Sequence, residues 1–361
     1  MFGEYNGIEK KVLKGERLSH DDGIRLFECS SLTWLGALAD HVRREKCGEL
    51  VYYNVNCHVN LTNMCVSRCK FCAFGRDADA HGAYAMTVEQ AIAVVEDAMR
   101  DPNLSGLHVV SGLHPTWTFE DYLSIVRALH EKFPSLYIKG FTGVELTHFA
   151  KISARSLESI LLELKSAGLQ AIAGGGAEIL SDRVRSILCP KKAMADEWLE
   201  AARVAHRLGI KTNASMLYGH IETIEERVDH LIKLRTLQDE THGFQTFICF
   251  PFLPKNTALE GEIKQTSMWD DLRTMAVSRL MLDNFDHIKA YWVMLTVPVA
   301  QVALSFGSND IDGTVHKETI LHDAGATSPT ALTEDQIIGV IREAGRIPAA
   351  CDCNYNVIRI L

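Results

Sequence analysis

Hydrophobic and polar positions along the chain follow strand-like and helix-like patterns in alternation. The first strand is predicted at 51–60, where β-branched and aromatic residues are concentrated. From there to about residue 315 the two patterns keep alternating, with no internal repeat, low-complexity tract or linker between them. Further strands are predicted at 106–110, 136–141, 170–173, 210–217, 244–250 and 288–294, helices at 87–100, 119–133, 156–167, 193–208, 224–240 and 268–283, and a weaker unit at 297–315.

Strands that alternate with helices predict a parallel sheet covered by helices. Seven clear strands, with an eighth in the weaker unit, favour an α/β fold closed into a (βα)8 TIM-type barrel. Upstream, 18–46 has apolar residues at helical spacing after a capping-type start at Ser19. We therefore expect an N-terminal helical extension at 1–50, the barrel at 51–320 and a C-terminal extension at 321–361.

Composition and charge restrict the class of partner. The 361 residues are 47% hydrophobic and 23% charged, which is typical of one large globular domain. The net charge is −9 and the positive residues are dispersed, so binding to nucleic acid or to an anionic membrane is not expected. No charged-then-apolar leader opens the chain and no run of about eighteen apolar residues follows, which favours a cytoplasmic protein. We expect a small-molecule substrate and leave a homodimer open.

Three of the ten cysteines stand close together, at Cys65, Cys69 and Cys72, in the loop after the first predicted strand. Thiols at this spacing can converge on one iron–sulfur cube and leave one iron without a protein ligand. Two other interpretations are buried thiols that cluster by accident and a tetrahedral zinc site, for which His58 is the nearest fourth ligand. The other seven cysteines show no small-domain disulfide pattern, and we expect free thiols.

The same loop resembles the cluster loop of the radical S-adenosylmethionine (radical SAM) enzymes, because Phe71 supplies the aromatic residue between the last two cysteines. The resemblance implies that Cys65, Cys69 and Cys72 hold a [4Fe-4S] cluster and that SAM binds the fourth iron. Phe71 would then pack near the adenine. It also implies a reductant such as flavodoxin or ferredoxin.

Longer motifs are similar to the aminofutalosine synthase family of the futalosine route to menaquinone. They are HVNLTNMCVSRCKFCAF at 58–74, SGLHP at 111–115, GGGAEIL at 174–180 and LYGHIETIEERVDHL at 217–231. In that family, the 5′-deoxyadenosyl radical of SAM adds to 3-[(1-carboxyvinyl)oxy]benzoate and yields 6-amino-6-deoxyfutalosine. The resemblance implies this C–C bond-forming transferase activity, with SAM consumed as a co-substrate.

Polar motifs directly after predicted strands are the candidates for binding SAM, since a barrel presents its active site there. Small residues let a ligand approach the backbone, and a carboxylate accepts hydrogen bonds from hydroxyl or ammonium groups. A structural turn or a helix-capping acid is the alternative at each position. The predicted cofactor-binding residues are Phe71, Ser111, Gly112, Glu145, Gly175, Gly176 and Glu178.

The substrate implied by the resemblance carries two carboxylates, which require cationic partners. Each candidate has a simpler interpretation as a surface charge or a satisfied core histidine. The predicted substrate-binding residues are His114, Arg183, Lys191, Lys192 and His220, and the predicted catalytic residues are His114, Glu145 and His220.

Two alternative functions compete with this interpretation. The dehypoxanthine futalosine cyclase family, which abstracts hydrogen instead of adding the radical, shares the cysteine loop and the GGGAE motif. Segments 141–145 and 213–218 resemble the synthase family more. A non-enzymatic iron–sulfur electron carrier would need all four irons ligated, and three cysteines argue against it.

Overall fold

The computed structural model describes residues 5–361, and residues 1–4 of the predicted N-terminal extension lie outside this range. Eleven strands form one sheet in the order β11-β10-β1-β9-β8-β7-β6-β5-β4-β3-β2. The strands are β1 (Leu50–Asn54), β2 (Asn56–Asn60), β3 (Gly106–Val110), β4 (Tyr137–Gly140), β5 (Ala171–Ile172), β6 (Lys211–Tyr218), β7 (Phe244–Pro251), β8 (His287–Lys289), β9 (Asp310–Gly313), β10 (Ile347–Cys351) and β11 (Val357–Ile360).

The sheet closes on itself. Strands β2 to β9 pair in parallel with their neighbours in sequence order. The chain leaving β9 then returns to β2, where His58 N donates to His316 O at 2.8 Å and His316 N donates to Asn56 O at 3.1 Å. The predicted (βα)8 barrel is therefore confirmed, with eight parallel strands in the closed wall.

Helices surround this wall. Many begin at a serine or threonine whose side-chain oxygen accepts a hydrogen bond from the first helical turn, as Ser19, Ser31, Thr87 and Thr223 do. The helices are α1 (Asn6–Leu13), α2 (His20–Glu28), α3 (Leu32–Cys47), α4 (Val88–Ala98), α5 (Phe119–Lys132), α6 (Gly143–Ser153), α7 (Leu157–Ser166), α8 (Asp182–Leu188), α9 (Ala195–Arg207), α10 (Ile224–Thr241), α11 (Met268–Met281), α12 (Trp292–Leu295), α13 (Val297–Ala303), α14 (Ile320–Asp323) and α15 (Glu334–Glu343).

The N-terminal helices pack on the outside of the barrel, α3 against α11 and α2 against α10. The pattern at 18–46 corresponds to two helices, because the chain turns between Glu28 and Leu32 and Ser31 caps a new helix. Among residues 5–361, no helix is both long enough and apolar enough to cross a membrane.

The C-terminal segment crosses the lower end of the barrel, opposite the cysteine loop. Strand β10 pairs with β1, and the chain then turns through 352–356 before β11. Tyr355 stacks on His287 with ring centroids 3.8 Å apart and donates a hydrogen bond to Asp310. Gln245 Nε2 donates to Cys353 O at 3.2 Å. These contacts fix the segment beneath the strands.

The strand predicted at 288–294 extends too far. Strand β8 ends at Lys289, and residues Trp292–Leu295 form the helix α12 instead. Because residues 288–295 are all buried and 290–295 are all apolar, this run gives no period that separates strand from helix.

Candidate active site

The cysteine loop follows β2 and is held by backbone hydrogen bonds to the loop after β3 and to the end of α8. Val66 N donates to Leu113 O at 2.9 Å, and Lys70 N donates to Leu188 O at 2.8 Å. The segments that follow β2, β3 and β5 thus meet at the carboxyl ends of their strands. This end of the barrel is where TIM-type enzymes place their active sites.

The three predicted metal ligands line one cavity. Gly75 N donates to Cys72 Sγ at 3.3 Å, a contact that stabilises a thiolate. A Cβ at Gly75 would lie 3.6 Å from Cys65 Cβ and 3.7 Å from Cys72 Sγ, so any side chain there would fill the space between two ligands. Cys69 also faces this space, and the residues present therefore fit an iron–sulfur cluster.

The zinc interpretation does not fit this arrangement. Within the described part of the chain, no three His, Cys, Asp or Glu side chains come close enough together to bind a single metal ion. A cluster needs its cysteine sulfurs farther apart than one tetrahedral ion does. His58, the candidate fourth zinc ligand, instead stacks on His108 inside the barrel, with ring centroids 4.6 Å apart.

A cavity of about 690 Å³ runs from the cysteine loop into the interior of the barrel. Its upper part is lined by the cysteine loop and by the loops after β3, β4 and β5. Its lower part is lined by inward-facing side chains of the strands, down to Cys353 in the C-terminal segment. One space therefore connects the cluster ligands with the barrel interior.

Glu145 lies in the wall of this cavity and is 3% exposed. Its carboxylate accepts a hydrogen bond from Ser111 N at 2.8 Å, which joins the loops after β3 and β4. Burial raises the pKa of the Glu145 carboxyl to about 7. A carboxyl group with this pKa can change its charge near neutral pH.

Gly112 and Gly176 are positions where a side chain does not fit. A Cβ at Gly112 would lie 2.5 Å from Met64 O in the cysteine loop. At Gly176, which has φ +80°, it would lie 2.7 Å from Val144 Cγ2. With Gly175, both glycines line the cavity, so the backbone itself forms part of the wall.

Glu178 and Lys192 form an ion pair in the cavity wall, with Lys192 Nζ 2.6 Å from Glu178 Oε1. Lys192 Nζ also lies 5.1 Å from the centroid of the Phe71 ring, a cation–π contact. The predicted cofactor residues Phe71, Ser111, Gly112, Glu145, Gly175, Gly176 and Glu178 all line the same cavity.

The structure does not bring the predicted substrate-binding residues together, because Lys192 alone among them lines the cavity. Arg183 is half exposed and pairs with Glu226 at 2.6 Å, and Lys191 is exposed. His220 is enclosed, with Nε2 3.0 Å from Leu217 O and Nδ1 2.8 Å from Glu222.

His114 also lies outside the cavity. Its Nδ1 accepts hydrogen bonds from Thr116 N at 3.2 Å and Trp117 N at 3.1 Å, and its ring stacks on that of Trp117. These contacts hold the turn that leads into α5. The simpler interpretation as structural histidines accounts for both His114 and His220.

The polar residues that point into the barrel were not predicted from the sequence. Lys139 on β4 and Lys289 on β8 are 5% and 3% exposed, and both line the cavity. Along 54–61, polar residues alternate with apolar ones, and the polar residues Asn54, Asn56 and His58 line the cavity. The alternation of polar and apolar residues at 54–61 was the signal for this polar interior.

Two protein-family models and several solved structures match this chain. The Radical SAM superfamily model matches residues 59–234, and the model of the CofH/MqnC C-terminal region matches residues 241–360. Among solved structures, the FeFe-hydrogenase maturase HydG from Carboxydothermus hydrogenoformans aligns with a TM-score of 0.77 at 17% identity, covering 98% of this chain and 80% of that chain. Methylornithine synthase aligns with a TM-score of 0.71 at 20% identity, covering 93% and 95%. Both share the fold.

Curated relatives are more similar in sequence. Aminodeoxyfutalosine synthase of Thermus thermophilus is 45% identical, over 98% of this chain and 95% of that protein. The synthase of Streptomyces coelicolor is 41% identical, over 98% and 93%. A 5-amino-6-(D-ribitylamino)uracil–L-tyrosine 4-hydroxyphenyl transferase of Archaeoglobus fulgidus is 37% identical, over 89% and 92%.

The barrel, the cysteine loop and the matching superfamily model define a radical SAM enzyme, which uses a [4Fe-4S] cluster and SAM. Within that superfamily, the chain belongs to the aminodeoxyfutalosine synthase family.

Proposed function

We propose that this enzyme joins the 5′-deoxyadenosyl group of SAM to 3-[(1-carboxyvinyl)oxy]benzoate and forms 6-amino-6-deoxyfutalosine for menaquinone biosynthesis. The observation that carries the proposal is the continuous cavity from the cysteine loop to the barrel interior, with the buried Lys139 at its lower end. A carboxylate bound inside the barrel needs such a cation. The identity of 45% and 41% to two synthases over 98% of the chain supports the same assignment.

The bound cluster and SAM supply the 5′-deoxyadenosyl radical, and the chain holds both in place. Cys65, Cys69 and Cys72 ligate the cluster. Glu145 binds a hydroxyl or ammonium group of SAM, and Gly175 and Gly176 let its adenosyl group approach the backbone.

The barrel interior holds the substrate below these loops. Phe250 and Tyr291 line the cavity, with ring centroids 5.6 Å apart, and supply apolar faces for an aromatic ring. The enol-ether CH2 has to face the cysteine loop, because the radical arises there. Addition to that carbon, migration of the aryl group from oxygen to carbon and departure of the carboxylate as CO2 then give the product, and the one electron left over would return to the cluster.

Electrons reach the cluster from outside. Val66, between the first two cluster cysteines, is 38% exposed and does not line the cavity, so one side of the cluster loop lies at the protein surface. A small reductant such as flavodoxin or ferredoxin can approach this side.

Labelled SAM tests the proposal. With SAM labelled in the adenine and with excess dithionite, we expect the label in the product and one SAM consumed per product formed. Stoichiometric release of labelled 5′-deoxyadenosine with added dehypoxanthine futalosine, together with cyclisation of that compound, would instead assign the cyclase activity.

Because the Archaeoglobus transferase is 37% identical, the substrates in its name are tested as well. Tyrosine with 5-amino-6-(D-ribitylamino)uracil, offered in place of the enol ether, should give no product. Turnover of that pair and not of the enol ether would contradict the proposal.

A further inference from the structure

Lys139 is a buried cation without a protein partner. It lies on β4, lines the cavity and is 5% exposed. No residue in the described range 5–361 forms a hydrogen bond or an ion pair with its ammonium group. The ammonium group interacts with other charged groups only at longer range. An unpaired buried charge is costly, so this position is suited to an anion brought by a ligand.

Lys289, the other lysine in the barrel interior, differs in this respect. Its Nζ forms an ion pair with Asp312 and lies 3.5 Å from Asp310 Oδ2. Its charge is therefore balanced by side chains of the neighbouring strand β9. Lys139 has no carboxylate of this kind beside it, and the residue opposite it in the C-terminal segment is the buried thiol of Cys353.

Asn213 is a second buried polar residue without a partner for one of its atoms. It lies on β6, lines the cavity and is 3% exposed, and its Oδ1 has no hydrogen-bond partner among the described residues. Lys139 and Asn213 both face the same interior space. The barrel thus contains polar groups that its own residues leave unsatisfied.

The depth of Lys139 separates it from the reacting end of the site. Strand β4 ends at Gly140, and the chain then turns toward Glu145 at the mouth. At about 3.3 Å per strand residue, the Cα atom of Lys139 lies roughly 7 Å below Phe141, where the loop begins. Lys139 is therefore placed to bind the far end of a ligand whose near end lies at the cysteine loop.

We infer that Lys139 binds the ring carboxylate of the aromatic substrate and selects for it. This assignment rests on the proposed function, in which the enol-ether CH2 faces the cysteine loop. The ring carboxylate then points away from the mouth, toward the barrel interior. Lys139 acts as a binding residue for this group, and Lys289 serves mainly to balance Asp310 and Asp312.

Discrimination between two ligands tests the inference. The ligands are 3-[(1-carboxyvinyl)oxy]benzoate and its ring carboxamide, and their Kd values are measured by equilibrium dialysis with the reconstituted, unreduced enzyme in the presence of SAM. We expect the wild-type enzyme to prefer the carboxylate by about tenfold or more. Lys139→Met should bind both ligands nearly equally, and Lys139→Arg should keep part of the preference.

Lys264→Met is the matched control, because Lys264 is exposed and does not line the cavity. It should retain the wild-type preference. Iron content and circular dichroism check that each variant is folded, and Lys139→Gln replaces Lys139→Met if the latter is not. A variant without the ammonium group that still prefers the carboxylate as the wild type does would overturn the inference.

Turnover of the wild-type enzyme separates this outcome from failure of the proposed function. If the wild type converts the enol ether but the Lys139 variants keep their preference, only the role of Lys139 is wrong. If the wild type neither binds nor converts the enol ether, the proposed function fails and the inference fails with it.

Discussion

Lys192 Nζ lies 2.6 Å from Glu178 Oε1, and the two side chains are 16% and 12% exposed. Removing one partner of a buried pair leaves the other charge uncompensated. We expect Lys192→Met to lower the free energy of unfolding by about 3 kcal/mol. The double variant with Glu178→Gln should recover part of this loss. Urea unfolding followed by circular dichroism measures both, and equal stabilities of the single variant and the wild type would contradict the prediction.

Replacing cysteines separates the cluster ligands from the other thiols. Cys65→Ala, Cys69→Ala and Cys72→Ala should each abolish cluster binding and turnover. Cys189→Ala should keep the iron, although the Cys189 thiol is in hydrogen-bond contact with that of Cys69. Iron content and visible absorption after reconstitution provide the measurement. A Cys72 variant with wild-type iron and activity would remove the basis of the assignment.

Cys351 and Cys353, the two cysteines near the C-terminal end, are further controls for the cluster ligands. Cys351 and Cys353 are buried at the lower end of the barrel, and Cys351 Sγ lies 3.4 Å from Tyr53 O. Cys351→Ala and Cys353→Ala should therefore keep the wild-type iron content. Loss of iron from either one in a folded variant would show that these thiols also bind metal.

The pH dependence of SAM binding should report on Glu145. Its carboxyl group has a pKa of about 7 because it is buried, so it is neutral below that pH and charged above it. If the carboxylate binds the SAM ammonium group, SAM affinity should fall toward tenfold per pH unit as the pH drops below about 7. Equilibrium dialysis with the unreduced enzyme from pH 6 to 8.5 measures this. A flat profile in the wild type, or the same slope in Glu145→Gln, would exclude Glu145 as the source.

The contact between Gly112 and the cysteine loop predicts a steric effect. In Gly112→Ala, the new Cβ would lie 2.5 Å from Met64 O, so the loop has to move. We expect lower iron retention and SAM affinity reduced by about tenfold or more, since displacing a backbone segment typically costs 1–3 kcal/mol. Gly339→Ala is the control, because a Cβ there meets no atom within 4 Å and the residue is helical. It should add about 0.5–1 kcal/mol of stability.

The barrel could be predicted from sequence because its strands and helices have clear and different periods. The cysteine loop could be found because three thiols at this fixed spacing rarely occur by chance. The end of strand β8 was harder to predict, since the strand has only three residues and is followed by a buried run that forms a helix. Local pattern does not distinguish these two states when every residue is buried.

The lower half of the site was not predicted, because a lysine on a strand looks the same in sequence whether it faces solvent or the inside of a barrel. Lys139 and Lys289 each stand between apolar or small residues, which is also the pattern of an ordinary strand. Conversely, His114 and His220 stand at strand ends, where catalytic residues collect, yet their rings are used in turns. The position of the motifs after the strands correctly placed the site at the carboxyl ends of the strands. Which side chains meet at that end depends on how the barrel closes.

The segment 352–356, held by Tyr355 and Gln245, has a kinetic consequence. Because it lies across the lower end of the barrel, a ligand reaches Lys139 by way of the cysteine loop. The barrel interior then has one entrance, and SAM binds at that entrance. The aromatic substrate therefore has to bind before SAM does. Steady-state kinetics should therefore show an ordered sequence in which excess SAM inhibits competitively against the aromatic substrate.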